Sequence, residues 1–146
     1  MWRGLLTGEL LFLRYAWPCA EDKLRAREID PDDFARLESI VKDGKSLPDQ
    51  ILLWRCFPKP AGALAVFAKE HQLEVWNPET VAAFWHRHQG SREECAVKWG
   101  VIKKLGPIAV MVAYDSGVGR AFNPYRLPLI LGYQVYVHCH VIAERG

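Results

Sequence analysis

The strongest constraint on the fold is a change of texture after Gly90. From there to residue 146 the chain is a succession of short runs rich in Val, Ile and Tyr: VKWGVIKKLG, PIAVMVAY, RAFNPYRLPLI and YQVYVHCHVIAE. Gly, Pro, Asn and an Asp-Ser-Gly triplet separate them, and YDSGVGR has the composition of a hairpin turn. Runs spaced roughly ten residues apart have no helices between them, so a parallel sheet is disfavoured and a small barrel is expected.

The first ninety residues have a different period. Leu6, Leu10, Leu13 and Trp17 recur at helical spacing, and Pro18 is expected to stop that run. In IDPDDFARLESIVKDG, Asp30 can cap a helix that Pro31 opens, with Asp32 and Asp33 at the positive end of its dipole. Phe34, Leu37 and Val41 share a face, and Gly44 can close the helix left-handed. LPDQILLWRCF suggests a short helix, PKP a loop, and Leu64, Phe67, Ala68 and His71 a further amphipathic face. Asn77 caps and Pro78 opens a last helix whose stripe is Val81, Phe84, Trp85 and His88, ending at Gly90. The expected fold class is therefore α+β: a helical region over 1–90, then a small OB-like β-barrel over 91–146.

Charge excludes several functions. The net charge is +2, and residues 1–92 carry thirteen basic and thirteen acidic side chains, so neither a polyanion nor an anionic membrane is an expected partner. The apolar stretch LLTGELLFL is broken by Glu9 and is too short to cross a bilayer. No leader pattern precedes it, and the four cysteines, Cys19, Cys56, Cys95 and Cys139, contain no C-x-x-C pair. Reduced thiols and a cytoplasmic location are the expectation.

Candidate chemistry is sparse. His86 and His88 lie two apart on a helix, so they point in different directions and miss the i, i+4 spacing of a metal pair. His88 is expected at the edge of the apolar stripe and His86 in solvent. In VHCHV, alternation along a strand puts His138 and His140 on one face and Cys139 on the other. Two imidazoles near a thiolate suit a soft or borderline transition metal, although a satisfied, partly buried histidine is the commoner outcome. Cys95 falls where the helical part meets the barrel, near Lys98; alone, it is best read as an inert buried thiol. Arg14 and Arg55 are candidates to pair with buried acids or to contact another protein, and Trp17, Trp54 and Phe57 are core or interface residues. No phosphate loop, nucleophile elbow or paired-carboxylate site is present. A thiol enzyme using Cys95 with His138 or His140 as base lacks an orienting acid, so the chain is not expected to be an enzyme.

CAVKWG at 95–100 and GYQVYVHCHVIAE at 132–144, with a strand, turn and strand between them, resemble the hydrogenase assembly chaperone family HypC/HupF. That family opens on C-L-A-[IVL]-P-G and closes on G-D-[YW]-V-L-V-H-x-G-x-A-[IL]. The resemblance covers about fifty residues, and its ordered pair of motifs is more specific than either alone. It implies that Cys95 is a thiolate holding iron with cyanide and carbonyl ligands, and that His138 lies near the metal. His140 and Lys98 are additional candidates, and Gly100 and Gly132 match turn glycines. Lys98, Arg120 or Tyr133 would steady the cyanides from outside the coordination sphere. The implied partners are a HypD-like scaffold protein and the large-subunit precursor of a [NiFe] hydrogenase, with no nucleic acid and no membrane. LLFLRYAWP also resembles the opening of a bacterial family with a helical segment before a C-x-[IV]-[RK]-W-G module.

Departures from the pattern matter. The family cysteine directly follows the initiator methionine, whereas Cys95 is internal. Trp99 stands for a proline, Tyr133 for an acid, and Cys139-His140 for small residues. The runner-up expectation is a protein-interaction module whose HypC-like barrel no longer binds iron, with the helical part gripping a partner.

Overall fold

The computed structural model describes residues 6–44, 46–88 and 96–146. The chain divides into two compact units, 1–85 and 86–146. The expected boundary at 90/91, the helix stop at Gly90 and Cys95 all lie outside the described residues. The fold class is α+β, a helical region followed by a small closed barrel.

In the helical unit, α1 (Gly8–Ala16) starts where the Thr7 side chain accepts from the Leu10 N–H at 3.1 Å. As expected, α1 ends just before Pro18, which sits in a short 3₁₀ turn, Trp17–Cys19, that leads directly into α2 (Ala20–Arg25). The Trp17 N–H still donates to the Leu13 carbonyl, whereas Pro18 has no N–H with which to continue the α-helical ladder. α3 (Pro31–Asp43) has the expected ends: Asp30 Oδ1 accepts from the Asp32 N–H, and Gly44 adopts φ +68°. α4 (Gln50–Cys56) is capped by Asp49. The PKP segment is a correction. It forms the first turn of α5 (Pro58–Glu70), where neither proline removes a needed donor. α6 (Pro78–His86) starts at the Asn77 cap, whose Oδ1 accepts from the Glu79 N–H, and stops two residues short of His88.

The core of this unit is aromatic. Phe12 meets Phe57, Trp76 and Trp85 edge-on at 5.3–6.2 Å, and Tyr15 stacks on Trp85. α1 presses so closely that a Cβ on Gly8 would run into the Trp76 carbonyl. Arg55 grips Asp33 with two bonds, at 2.7 and 2.8 Å, which settles Arg55 as the partner of a buried acid. That guanidinium holds the Asp33 carboxyl below its ordinary range. Phe57 is buried, but Trp54 is 41 % exposed. Among the described residues no single helix is long and apolar enough to cross a membrane.

The barrel unit contains β1 (Lys98–Lys104), β2 (Ala109–Tyr114), β3 (Gly117–Phe122), β4 (Gln134–His138) and β5 (Val141–Arg145). They close in the order β1-β2-β3-β5-β4, antiparallel except for the β3–β5 junction. Ile102, Val110, Val112, Ala121, Val135, Val137 and Ile142 fill its interior. Asp115-Ser116 is the expected hairpin turn. Two of the expected runs are corrected. In RAFNPYRLPLI only Arg120–Phe122 is strand; the rest is a loop that Asn123 holds through two hydrogen bonds with the Leu127 backbone, and Leu127 is buried. YQVYVHCHVIAE is two strands, because Cys139 and His140 both adopt left-handed conformations, φ 51° and 65°, and turn the chain in two residues.

Candidate functional site

The site is built on the β4–β5 hairpin. Val135 and Val137 point into the barrel core, so Tyr136 and His138 face outward. On β5 the register slips between Val137↔Ile142 and Tyr136↔Glu144, leaving Ala143 as an extra residue. This bulge sends Ile142 inward and Glu144 outward, beside Tyr136. Without it, strict alternation would bury Glu144 in the hydrocarbon interior with Ile142.

Residues 86–88 cover that outer face. The His86 ring stacks on Tyr136 at 3.6 Å, and its Nε2–H donates to Glu144 Oε1 at 3.0 Å. Glu144 is fully buried, and a buried carboxylate needs such partners. His88 meets His138 edge-on at 5.3 Å, and its carbonyl accepts from the Val97 N–H. Burial, with His138 adding to it, pushes the His88 pKa down to about 4, so His88 is a neutral imidazole at physiological pH. The expectation of a solvated His86 is therefore corrected: its ring is held between an aromatic face and a buried acid.

His138 is 1 % exposed, and one of its ring nitrogens lies within 4.8 Å of Cys139 Sγ. The expected pairing of His138 with His140 on one face fails, because β4 ends at His138 and the left-handed turn redirects the next two side chains. Instead Cys139 and His140 together line a cavity of about 230 Å³ with Lys98, Arg120, Tyr114 and Ser116. Thus His138, Lys98 and His140 lie in or beside one region of the barrel unit. Ala96 lines the same cavity.

Of the three residues expected to steady ligand anions, Lys98 and Arg120 are at the cavity, and Tyr133 is not among its lining residues: Arg145 lies over its ring at 4.8 Å. Gly132 occupies a turn at φ +87°, as expected. Gly100 does not; it lies within β1, where a Cβ would come within 2.5 Å of Val112 Cγ1.

The donor set, a thiol next to an imidazole, has the chemistry of a soft or borderline transition-metal site. It differs from Cys56, which is sealed in the helical unit and whose thiol is pushed up to about 11 by burial. Sequence reasoning missed the covering role of His86 and His88 and the burial of Glu144 beneath them. The visible signal was an acid inside an apolar strand, VIAER, with two histidines upstream and no other buried acid assigned to them. No family model, curated protein or solved structure matches the chain.

Proposed function

We propose that the protein is an accessory carrier of a soft transition-metal centre, held on the barrel unit by the Cys139 thiolate and the His138 imidazole. The observation that carries it is the approach of a His138 ring nitrogen to Cys139 Sγ within 4.8 Å, beside a cavity lined by Lys98 and Arg120. A metal needs a deprotonated thiol and neutral imidazole, and both become ligands as their protons leave. His88 stays neutral next to His138, so no second imidazolium opposes the incoming charge. Lys98 and Arg120 offer N–H donors to anionic ligands that the metal brings with it. Cyanide on iron is such a ligand, so the cargo implied by the HypC/HupF resemblance is consistent with this donor set. On that resemblance, the cargo is iron with cyanide and carbonyl ligands, received with a HypD-like scaffold and delivered to a hydrogenase large-subunit precursor. The protein itself turns over no substrate in this account.

Cobalt(II) titration of the full chain under argon tests the ligands. Wild type should develop a thiolate-to-cobalt charge-transfer band that saturates, Cys139→Ser should lose it, and His138→Gln should bind at least about tenfold more weakly. An identical band in Cys139→Ser would remove that thiolate from the site.

A further inference from the structure

The barrel is closed by a very short junction. β3 pairs with β2 along its whole length, from Tyr114↔Gly117 to Ala109↔Phe122. Among the described residues it pairs with β5 only at Phe122↔Val141, where the Phe122 N–H donates to the His140 carbonyl at 2.8 Å. In an antiparallel pair, alternate residues aim their backbone groups at the partner strand and the others aim them away. Phe122 aims away from β2, toward β5. By the same alternation Arg120 and Val118 present their N–H and C=O on that side, beyond the end of β5. Such an edge is a template for another strand. Natural edges are usually blunted by Pro, Lys or a covering segment, yet Val118 here is 64 % exposed and Gly117 and Gly119 add no side-chain bulk.

This edge forms one wall of the cavity, through Gly117, Val118, Gly119 and Arg120. The cavity is also lined by Lys98 and His140, and no carboxylate is among its described lining residues. Its charge therefore favours an acid.

We propose that residues 117–120 receive an extended segment of a partner protein, added as a strand beside β3, with an Asp or Glu side chain reaching Arg120 and Lys98. Backbone bonds to Val118 and Arg120 give the affinity, and the cavity selects the acid. Four strand residues span roughly 13 Å, enough to hold a peptide stretch of about four residues. This docking needs no bound metal, so it stands or falls separately from the carrier reading.

The test uses the full chain and two pools of blocked eight-residue peptides. One alternates Val, Ile or Thr with Glu; the other has Lys in place of Glu. Fluorescence anisotropy should show saturable binding of the Glu pool and at least tenfold weaker binding of the Lys pool. Hydrogen exchange at the Val118 and Arg120 amides should slow when the Glu pool binds, and Arg120→Glu should reverse the preference between pools. Absence of saturable binding, binding that leaves those two amides unchanged, or a dimer of the chain that occupies the edge would each overturn the proposal.

Discussion

A Cβ on Gly100 would sit 2.5 Å from Val112 Cγ1 and 2.7 Å from the Ala113 carbonyl oxygen, so β1 can lie against β2 here only with glycine. Gly100→Ala should destabilise the protein by about 1–3 kcal/mol in urea unfolding, since neither backbone nor packed valine can yield cheaply. The sequence motif WG marked this position as special but not why: a turn glycine and a close-approach glycine look alike until the neighbouring strand is known. The thiols make a similar contrast. Cys56 is buried and holds its proton to about pH 11, whereas Cys139 lies at a turn on a cavity wall. At neutral pH iodoacetamide should therefore label Cys139 much faster than Cys56, as read by peptide mass mapping; equal rates would contradict the placement of either thiol.

Among the elements, the β4–β5 hairpin and the residues that cover it, 86–88, give the clearest electrostatic prediction. His88 is held neutral to about pH 4, below its ordinary 6.5. The unfolded chain takes up a proton between those values that the folded barrel refuses. Stability from this site is therefore full above about pH 6.5 and falls as the pH drops toward 4, by at most about 3 kcal/mol. Denaturation of the metal-free protein across that range should show the decline, and His88→Gln should flatten it. Separately, His86→Ala should cost about 1–3 kcal/mol, because it strips a hydrogen-bond partner from buried Glu144. Hydrophobic period made the strands and most helix caps legible: Asp30, Gly44 and Asn77 do what their chemistry suggests. The turn at Cys139-His140 was not legible, because neither residue is a usual left-handed former and the apolar pattern runs on through it. The bulge at Ala143 was hidden for the same reason, and with it the outward aim of Glu144.

For the whole molecule, the division after residue 85 leaves His86 and His88 with the barrel rather than with the helical unit. A fragment spanning 86–146 should accordingly be more stable than one spanning 96–146, which lacks the cover over Tyr136, His138 and Glu144. Thermal melts followed by circular dichroism would show it, and equal melting temperatures would argue that the cover contributes nothing. The α+β order was legible because the helical and strand-like periods occupy separate stretches of chain. The candidate site was legible only in part. VHCHV announced a thiol between imidazoles, but its partners in space, Lys98 and Arg120, come from β1 and β3 and meet it only through barrel closure. In the carrier reading proposed above, Cys139 and His138 would hold a cyanide-bearing iron centre for delivery. Infrared spectra of the full chain, purified without oxygen from cells making a HypD-like scaffold and a hydrogenase large-subunit precursor, test it most directly. The account predicts cyanide and carbonyl stretching bands on wild type that vanish in Cys139→Ser and weaken in His138→Gln; no bands on wild type, or bands unchanged in Cys139→Ser, would contradict it.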